Sequence, residues 1–244
     1  MARLHPTAIV DPRAELAPDV EVGPYAVVEA GVMIAEGCVL HAHAVVRGAT
    51  SLGPRNVVHP FAVVGGEPQD KRHTGPARTL VGEGNVFREH VTVHGGTEGR
   101  STRIGAGNLF MVGSHVAHDV EVGSQCVLSN GAQIAGHVKI GDWVTFGGLS
   151  GVAQYVRVGE SAFVAAAAAC ERDVPPFVVV QGDRARVRGV NVVGLRRRGV
   201  PEESIAALRR AVHKLWLSQG TRAETLPEVA QMPDPWVQRL VAAL

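Results

Sequence analysis

From Thr7 onward the chain advances in steps of six residues: TAIVDP, RAELAP, DVEVGP, YAVVEA, GVMIAE and GCVLHA follow without a break. The fourth residue of every step is aliphatic, from Val10, Leu16 and Val22 through Ile34 and Val46 to Val64. Two places earlier the residue is mostly small, as at Ala8, Ala14, Ala26, Cys38, Ala44 and Ala62. A fixed internal period constrains architecture more than any local propensity does. Six is even, so an uninterrupted strand would hold the repeats on one face, but Gly, Pro or Asn in so many steps demands a bend in each. Three short strands closing a triangle place every aliphatic inside a narrow prism. The backbone of each coil then pairs with the coils above and below it, about 4.8 Å away.

The pattern halts at GEPQDKRHTGPAR, returns at Val81, Phe87 and Val93, halts again at GGTEGRST, and then runs from Ile104 to Val164. Twenty-four steps make eight coils of three. A stack of coils has ends that need capping, and after residue 200 the periodicity becomes helical. Pro201 suits a first helical position and Glu202 and Glu203 the first turn, with Ile205, Leu208, Val212 and Leu215 forming one apolar stripe. In DPWVQRLVAAL, Asp234 reads as an N-cap, followed by Trp236, Val237, Leu240, Val241 and Leu244. The expected fold is mainly β: a parallel β-helix of hexapeptide repeats over residues 1–182, with loop insertions at 67–78 and 95–102. A junction and a C-terminal α-helical appendix over 183–244 follow.

Composition agrees with a thin core, since aromatic residues are only 5% of the chain while Gly reaches 29. A net charge of +1 gives no whole-protein attraction for nucleic acid. No apolar run approaches a membrane span, and the start MARLHPTAIV lacks the apolar segment of a secretory signal. Cys38 and Cys126 fall in the small position and Cys170 in the aliphatic one, so all three read as buried packing thiols in a reducing, cytoplasmic compartment.

The register also aims the histidines. In GSHVAHDV the inward residue is Val116, so His115 and His118 leave the core, and His118 and Asp119 reach the following corner. His137, in AGHVKIG, lies one coil of 18 residues beyond Asp119, and Gln154, in GVAQYV, belongs near the same edge. Such a cluster suits a general base with a carboxylate helper. It also suits a zinc site in which His115, His118 and His137 act as ligands, as in a hexapeptide enzyme of the carbonic anhydrase kind. A third possibility is a non-catalytic prism that only binds a ligand.

At these residues the chain closely resembles the hexapeptide-repeat acyltransferases, and within them the branch that acylates a UDP-sugar. The matching stretches are LHPTAIV, PQD, HVAHD, AGHV, DVPPF, QG and GVNVVGLRRRG, spread nearly from end to end, with a somewhat abbreviated helical part. The resemblance implies a left-handed helix and a homotrimer with active sites in clefts between subunits. It implies transfer of an (R)-3-hydroxyacyl chain from acyl carrier protein to the glucosamine 3-hydroxyl of UDP-N-acetylglucosamine, the first step of lipid A biosynthesis. The carrier thioester is the co-substrate, and neither cofactor nor metal is implied.

Carried over by position, the resemblance makes His118 the general base, Asp119 its orienting group and the Gly136 N–H an oxyanion donor. His115, His137, Gln154 and Asp70 become substrate contacts, with Arg72 competing with Lys71 as the neighbouring basic residue. Asn191, Arg197 and Arg198 fall on the nucleotide and phosphate side. Ala166 takes the position that limits acyl-chain length. Arg184, Arg186 and Arg188 form a basic surface suited to an acidic carrier protein. Three positions depart from the common pattern: Ala153 stands for a histidine, Val193 for an acidic residue and Gly95 for an arginine. The first keeps a 3-amino sugar open as an alternative acceptor.

Overall fold

The computed structural model describes residues 2–244, of which Arg3 to Gln181 wind into three parallel sheets. The first face begins at Arg3–Leu4, the second at Ile9–Val10 and the third at Glu15–Leu16, and over this range they hold ten, nine and eight strands. Every third strand is the neighbour on its own face, so Arg3 pairs with Glu21, and Val57 with Val39 below and Val86 above. The stack is longer than the eight expected coils. Arg3–Leu4 precedes the first counted step, while Ala169–Cys170 and Val178–Gln181 extend the pattern past Val164.

The hexad register holds throughout. Val22, Val58, Phe87, Phe110, Val116, Leu128 and Phe146 are all buried, as are the small-position residues Ala26, Cys38, Ala44 and Ala62. Burial pushes the Cys126 thiol up to about 12 and the Cys170 thiol to about 11, which leaves both unreactive. Where the small position carries asparagine, the core contains a polar ladder. Asn85 donates to Asn56 Oδ1 from its backbone (2.9 Å) and its side chain (3.0 Å), and Asn108 does the same to Asn85 Oδ1 at 2.9 Å. The Cys126 N–H closes the ladder on Asn108 Oδ1 at 2.7 Å. Beside it, Phe87 and Phe110 stack with ring centroids 4.8 Å apart.

From Tyr25 onward most corners turn through a residue of positive φ, and many of these are not glycine: Tyr25, His43, Phe61 and His90 on the first–second edge, Asp119, His137 and Tyr155 on the second–third edge. A left-handed L-residue costs roughly 1–2 kcal/mol. Stacked corners offset it by pairing each backbone with the coil below, as His137 N does with His118 O at 3.1 Å.

The last strand of the first face, Arg186–Val190, turns back antiparallel on Val178–Gln181 and leads into four helices. These are α1 (Val192–Arg197), α2 (Glu202–Val212, continued by a π-turn His213–Leu217), α3 (Arg222–Ala230) and α4 (Pro235–Ala242). Pro201 is the N-cap of α2 rather than its first helical residue, and Asp234 caps α4 as expected, accepting from Trp236 and Val237. Helices α1 and α3 were not expected. The first is short, and Pro227 inside the second argues against a helix, yet a Thr221–Glu224 capping box starts it. No helix among the described residues is long and apolar enough to cross a membrane.

Candidate active site

The second–third edge is built from two stacked columns of corner residues. One contains His118, Gly136 and Gln154; the other contains Asp119, His137 and Tyr155. His118 Nδ1 lies 2.9 Å from Asp119 Oδ2, and the carboxylate side chain is only 3% exposed. A carboxylate accepts, so the proton of this pair sits on His118 Nδ1 and the Nε2 lone pair is left free. Gly136 lies flat against that ring: a Cβ there would come within 2.9 Å of Nε2. Among the described residues the Gly136 N–H donates to no protein acceptor, whereas its carbonyl accepts from Tyr155 at 3.2 Å.

Asp119 is held from the second insertion. The Thr97 N–H (2.9 Å) and hydroxyl (2.8 Å) donate to its two oxygens, and its own N–H donates to Thr102 Oγ1 at 2.9 Å. Burial works against the charged form, but the bonds from His118 and Thr97 outweigh it and keep the carboxyl below its ordinary pKa. On the other side of Asp119, His137 Nδ1 is 3.5 Å from Oδ2 and 3.2 Å from Arg100 Nη1. The His137 ring stacks on Tyr155, centroids 4.5 Å apart and planes 2° off parallel.

His115, His118, Gly136 and Gln154 line one cavity of about 480 Å³ on the second face, together with Gln69 from the first insertion. Asp119, His137, Arg100 and Tyr155 line another of about 580 Å³ around the corner, on the third face. His115 Nδ1 is tied to Thr92 Oγ1 at 2.8 Å, and its ring meets His94 edge-on at 4.8 Å. Burial lowers both of these histidines, His94 to about 4, so both are neutral at ordinary pH. The donor set that converges is His118, Asp119 and His137, and His115 lies outside it. The Arg100 guanidinium, a pure donor, occupies the His137 Nδ1 lone pair.

The first insertion brings Asp70 beside the cluster, where bonds from the Arg72 side chain and backbone lower its carboxyl. Arg72, not Lys71, makes this pair, at 3.3 Å. Ala153 lines the cavity next to Gln154, so the departure from histidine opens space there. A Cβ on Gly95 would strike Ala77 at 2.7 Å, and the same insertion delivers its guanidinium from Arg100 instead.

Other expected site residues are not brought to this cluster within one chain. Ala166 is exposed on the first–second edge, across the second face from His118. Asn191 is buried as the N-cap of α1 and donates to Ser161 O at 2.9 Å. Arg198 is engaged by Glu160 (2.9 Å) and Ser161 (2.7 Å) and lies over Trp236. Arg197 is exposed, and among the described residues it has no ion-pair partner. Thr97, Thr102, Arg100 and Tyr155 escaped the sequence reading. Tyr155 sits 18 residues after His137 and Thr102 two before Ile104, so the register contained both; the two insertion residues had no register to reveal them.

Residues 173–244 match the family model described as Udp N-acetylglucosamine O-acyltransferase, Domain 2. A relative from Stenotrophomonas maltophilia (strain R551-3), named acyl-[acyl-carrier-protein]--UDP-N-acetylglucosamine O-acyltransferase, is 43% identical over 94% of this chain and 89% of its own. The chain belongs to the UDP-N-acetylglucosamine O-acyltransferase family. A second relative of the same name, from Saccharophagus degradans, is 43% identical over 95% of this chain and 92% of its own. Two solved acyltransferases of this family superpose over 98% of this chain and 95% of theirs. They are LpxA from Acinetobacter baumannii (36% identity, TM-score 0.93) and LpxA from Bacteroides fragilis (30%, 0.94). A family acyltransferase needs a base for a sugar hydroxyl, and the His118–Asp119 pair is a candidate in this chain.

Proposed function

We propose that this chain transfers an (R)-3-hydroxyacyl group from acyl carrier protein to the 3-hydroxyl of UDP-N-acetylglucosamine, the opening step of lipid A biosynthesis. The observation that carries this reading is the His118–Asp119 pair, with its free Nε2 facing a cavity and an unused Gly136 N–H against it. The prism is left-handed in this reading, residues 1–182 forming its coiled domain and 183–244 its appendix.

A sugar hydroxyl is a weak nucleophile at neutral pH. His118 Nε2 takes its proton as the oxygen attacks the thioester carbonyl, and Asp119 stabilises the imidazolium and fixes its tautomer. The developing oxyanion receives the Gly136 N–H. When the C–S bond breaks, His118 returns the proton to the departing thiolate. No metal or cofactor is needed to balance the step.

His115 and Gln154 orient the acceptor in the second-face cavity, with His137 on the far side of Asp119 and Asp70 and Arg72 closing over the edge. The acyl tail crosses the second face toward Ala166. Asn191, Arg197 and Arg198 serve the nucleotide and diphosphate, and because they lie apart from His118 in one chain, a cleft between subunits of a homotrimer joins them. Arg184, Arg186 and Arg188 receive the acidic carrier protein, and the whole works in the cytoplasm.

The test is turnover with acyl carrier protein thioesters and two acceptors, UDP-N-acetylglucosamine and its 3-amino analogue. Mass spectrometry should find the ester. Amide as the main product would favour the amino sugar, the reading supported by the open space at Ala153. No product with either acceptor would reject the assignment.

A further inference from the structure

Asp119 Oδ2 faces two imidazoles through the same ring atom: His118 Nδ1 at 2.9 Å and His137 Nδ1 at 3.5 Å. Both rings leave the same edge on consecutive coils and stand edge to face, with centroids 5.0 Å apart. Nothing in the carboxylate itself decides which histidine becomes its partner. We propose that Arg100 decides it: by donating to His137 Nδ1, its guanidinium is a positioning residue that excludes His137 from the pair and leaves Asp119 to His118 alone.

The chemistry of the donor set carries the argument. Guanidinium has five N–H donors and no acceptor. A contact of 3.2 Å from Arg100 Nη1 to His137 Nδ1 therefore requires a bare lone pair on that nitrogen. The proton of neutral His137 is consequently on Nε2. In that tautomer His137 cannot donate to Asp119, and Asp119 accepts from His118, Thr97 N and Thr97 Oγ1 instead. Stacking on Tyr155 holds the plane of the ring. One insertion thus does two jobs: Thr97 clasps the carboxylate and Arg100 silences the competing imidazole. His137 is left neutral, with one fixed donor.

The groups facing His137 are Asp119, His118, Arg100 and Asp70, with Tyr155 against its ring. Arg103, Glu121, Lys139 and Arg157 line the third-face cavity beyond it. Burial is the main cause that lowers its pKa; His118 and Arg100 also lower it, while Asp119 and Asp70 raise it. Removing Arg100 deletes a cation, so His137 would take its proton at higher pH, and the acid limb of the rate profile would move up.

The role rests on the acyl-transfer reading, but its first readout does not need turnover. Histidine ¹⁵N spectra of the whole protein report which ring nitrogen holds the proton. His137 should be protonated at Nε2 in the wild type. In Arg100→Ala it should shift to Nδ1 or to the doubly protonated form, whereas Arg100→Lys, still a pure donor, should keep the wild-type tautomer. Turnover of Arg100→Ala should fall roughly ten- to hundredfold in kcat, as misoriented catalytic groups do, with KM little changed and with the lysine variant largely rescued. An unchanged His137 tautomer in Arg100→Ala overturns the proposal whatever the rate does. So does a changed tautomer with wild-type kcat, or an effect confined to KM, which would make Arg100 a substrate ligand. A melting temperature of Arg100→Ala equal to wild type excludes collapse of the insertion as the cause.

Discussion

On the first–second edge, Tyr25, His43, Phe61 and His90 stack in a rib with ring centroids 5.2, 4.9 and 5.3 Å apart. On the second–third edge, Asp119, His137 and Tyr155 occupy the same left-handed corner position, and His137 and Tyr155 stack in the same way. Both edges stack side chains of successive coils, 18 residues apart except where an insertion widens Phe61 to His90 to 29, and both contain histidine. The difference is what reaches them from outside the repeat. The rib remains exposed, with Tyr25 at 56% and Phe61 at 49%, and its rings stack on one another. The other edge receives Asp70 and Arg72 from one insertion and Thr97 and Arg100 from the next. Repetition alone yields a ladder; unlike groups converge only where the period is interrupted.

The sharpest way to break the comparison is His118→Ala, which should lower turnover by about 10²–10⁴-fold while thermal unfolding stays near wild type. Ring removal on the rib should do the reverse. The next effect lies in the core beneath both edges. Asn85→Ala removes one of the two donors on Asn56 Oδ1 and leaves the Asn108 backbone N–H and side-chain amide without their acceptor, so denaturant unfolding should show a loss of about 3 kcal/mol. Turnover per folded protein should be retained.

Ala166→Met tests whether the upper part of the first–second edge serves the acyl tail. Each excluded methylene forfeits about 0.8 kcal/mol of burial, so competition among thioesters of graded length should show a preference several carbons shorter. An unchanged length profile with activity intact would detach Ala166 from the tail. The smallest effect is expected for Phe61→Ala: about 1 kcal/mol of stability from lost ring stacking, with no change in kcat or KM.

Acid sharpens the contrast further. The Asp119 pKa is depressed in the folded chain, so its stabilising contribution is present above the unfolded carboxylate pKa and disappears as pH falls through the lower folded value. Asp119→Asn should therefore flatten the acid side of the stability profile, while Phe61→Ala should leave its shape alone.

Much of this contrast is legible in the sequence because the register is so strict. Val116 fixed as an inward residue is enough to put His118 and Asp119 on a corner and His137 above Asp119. The core ladder is half legible: Asn56 stands in a small position, but its bonding to Asn85 requires knowing that the first insertion returns the chain to the same face. Thr97 and Arg100 are illegible for the complementary reason, since an insertion carries no period. The separation of Arg197 from His118 follows from its place in α1, beyond the prism, not from any motif. Helix α3 was hidden by Pro227, whose missing N–H is tolerated inside a short capped helix.

The asparagine ladder marks the chain's mechanical calibration. Its rungs join residues 29 and 23 apart, from Asn56 to Asn85 and from Asn85 to Asn108, whereas Cys126 follows Asn108 by the ordinary 18. Drawn out from its termini in a force experiment, a prism held by neighbour-to-neighbour contacts would peel one coil at a time. An ordinary coil releases roughly 60 Å of extended chain, and the two interrupted coils about 100 Å and about 80 Å. The two longer steps would appear side by side in the trace, a built-in ruler mark showing how far the unzipping has travelled from either end.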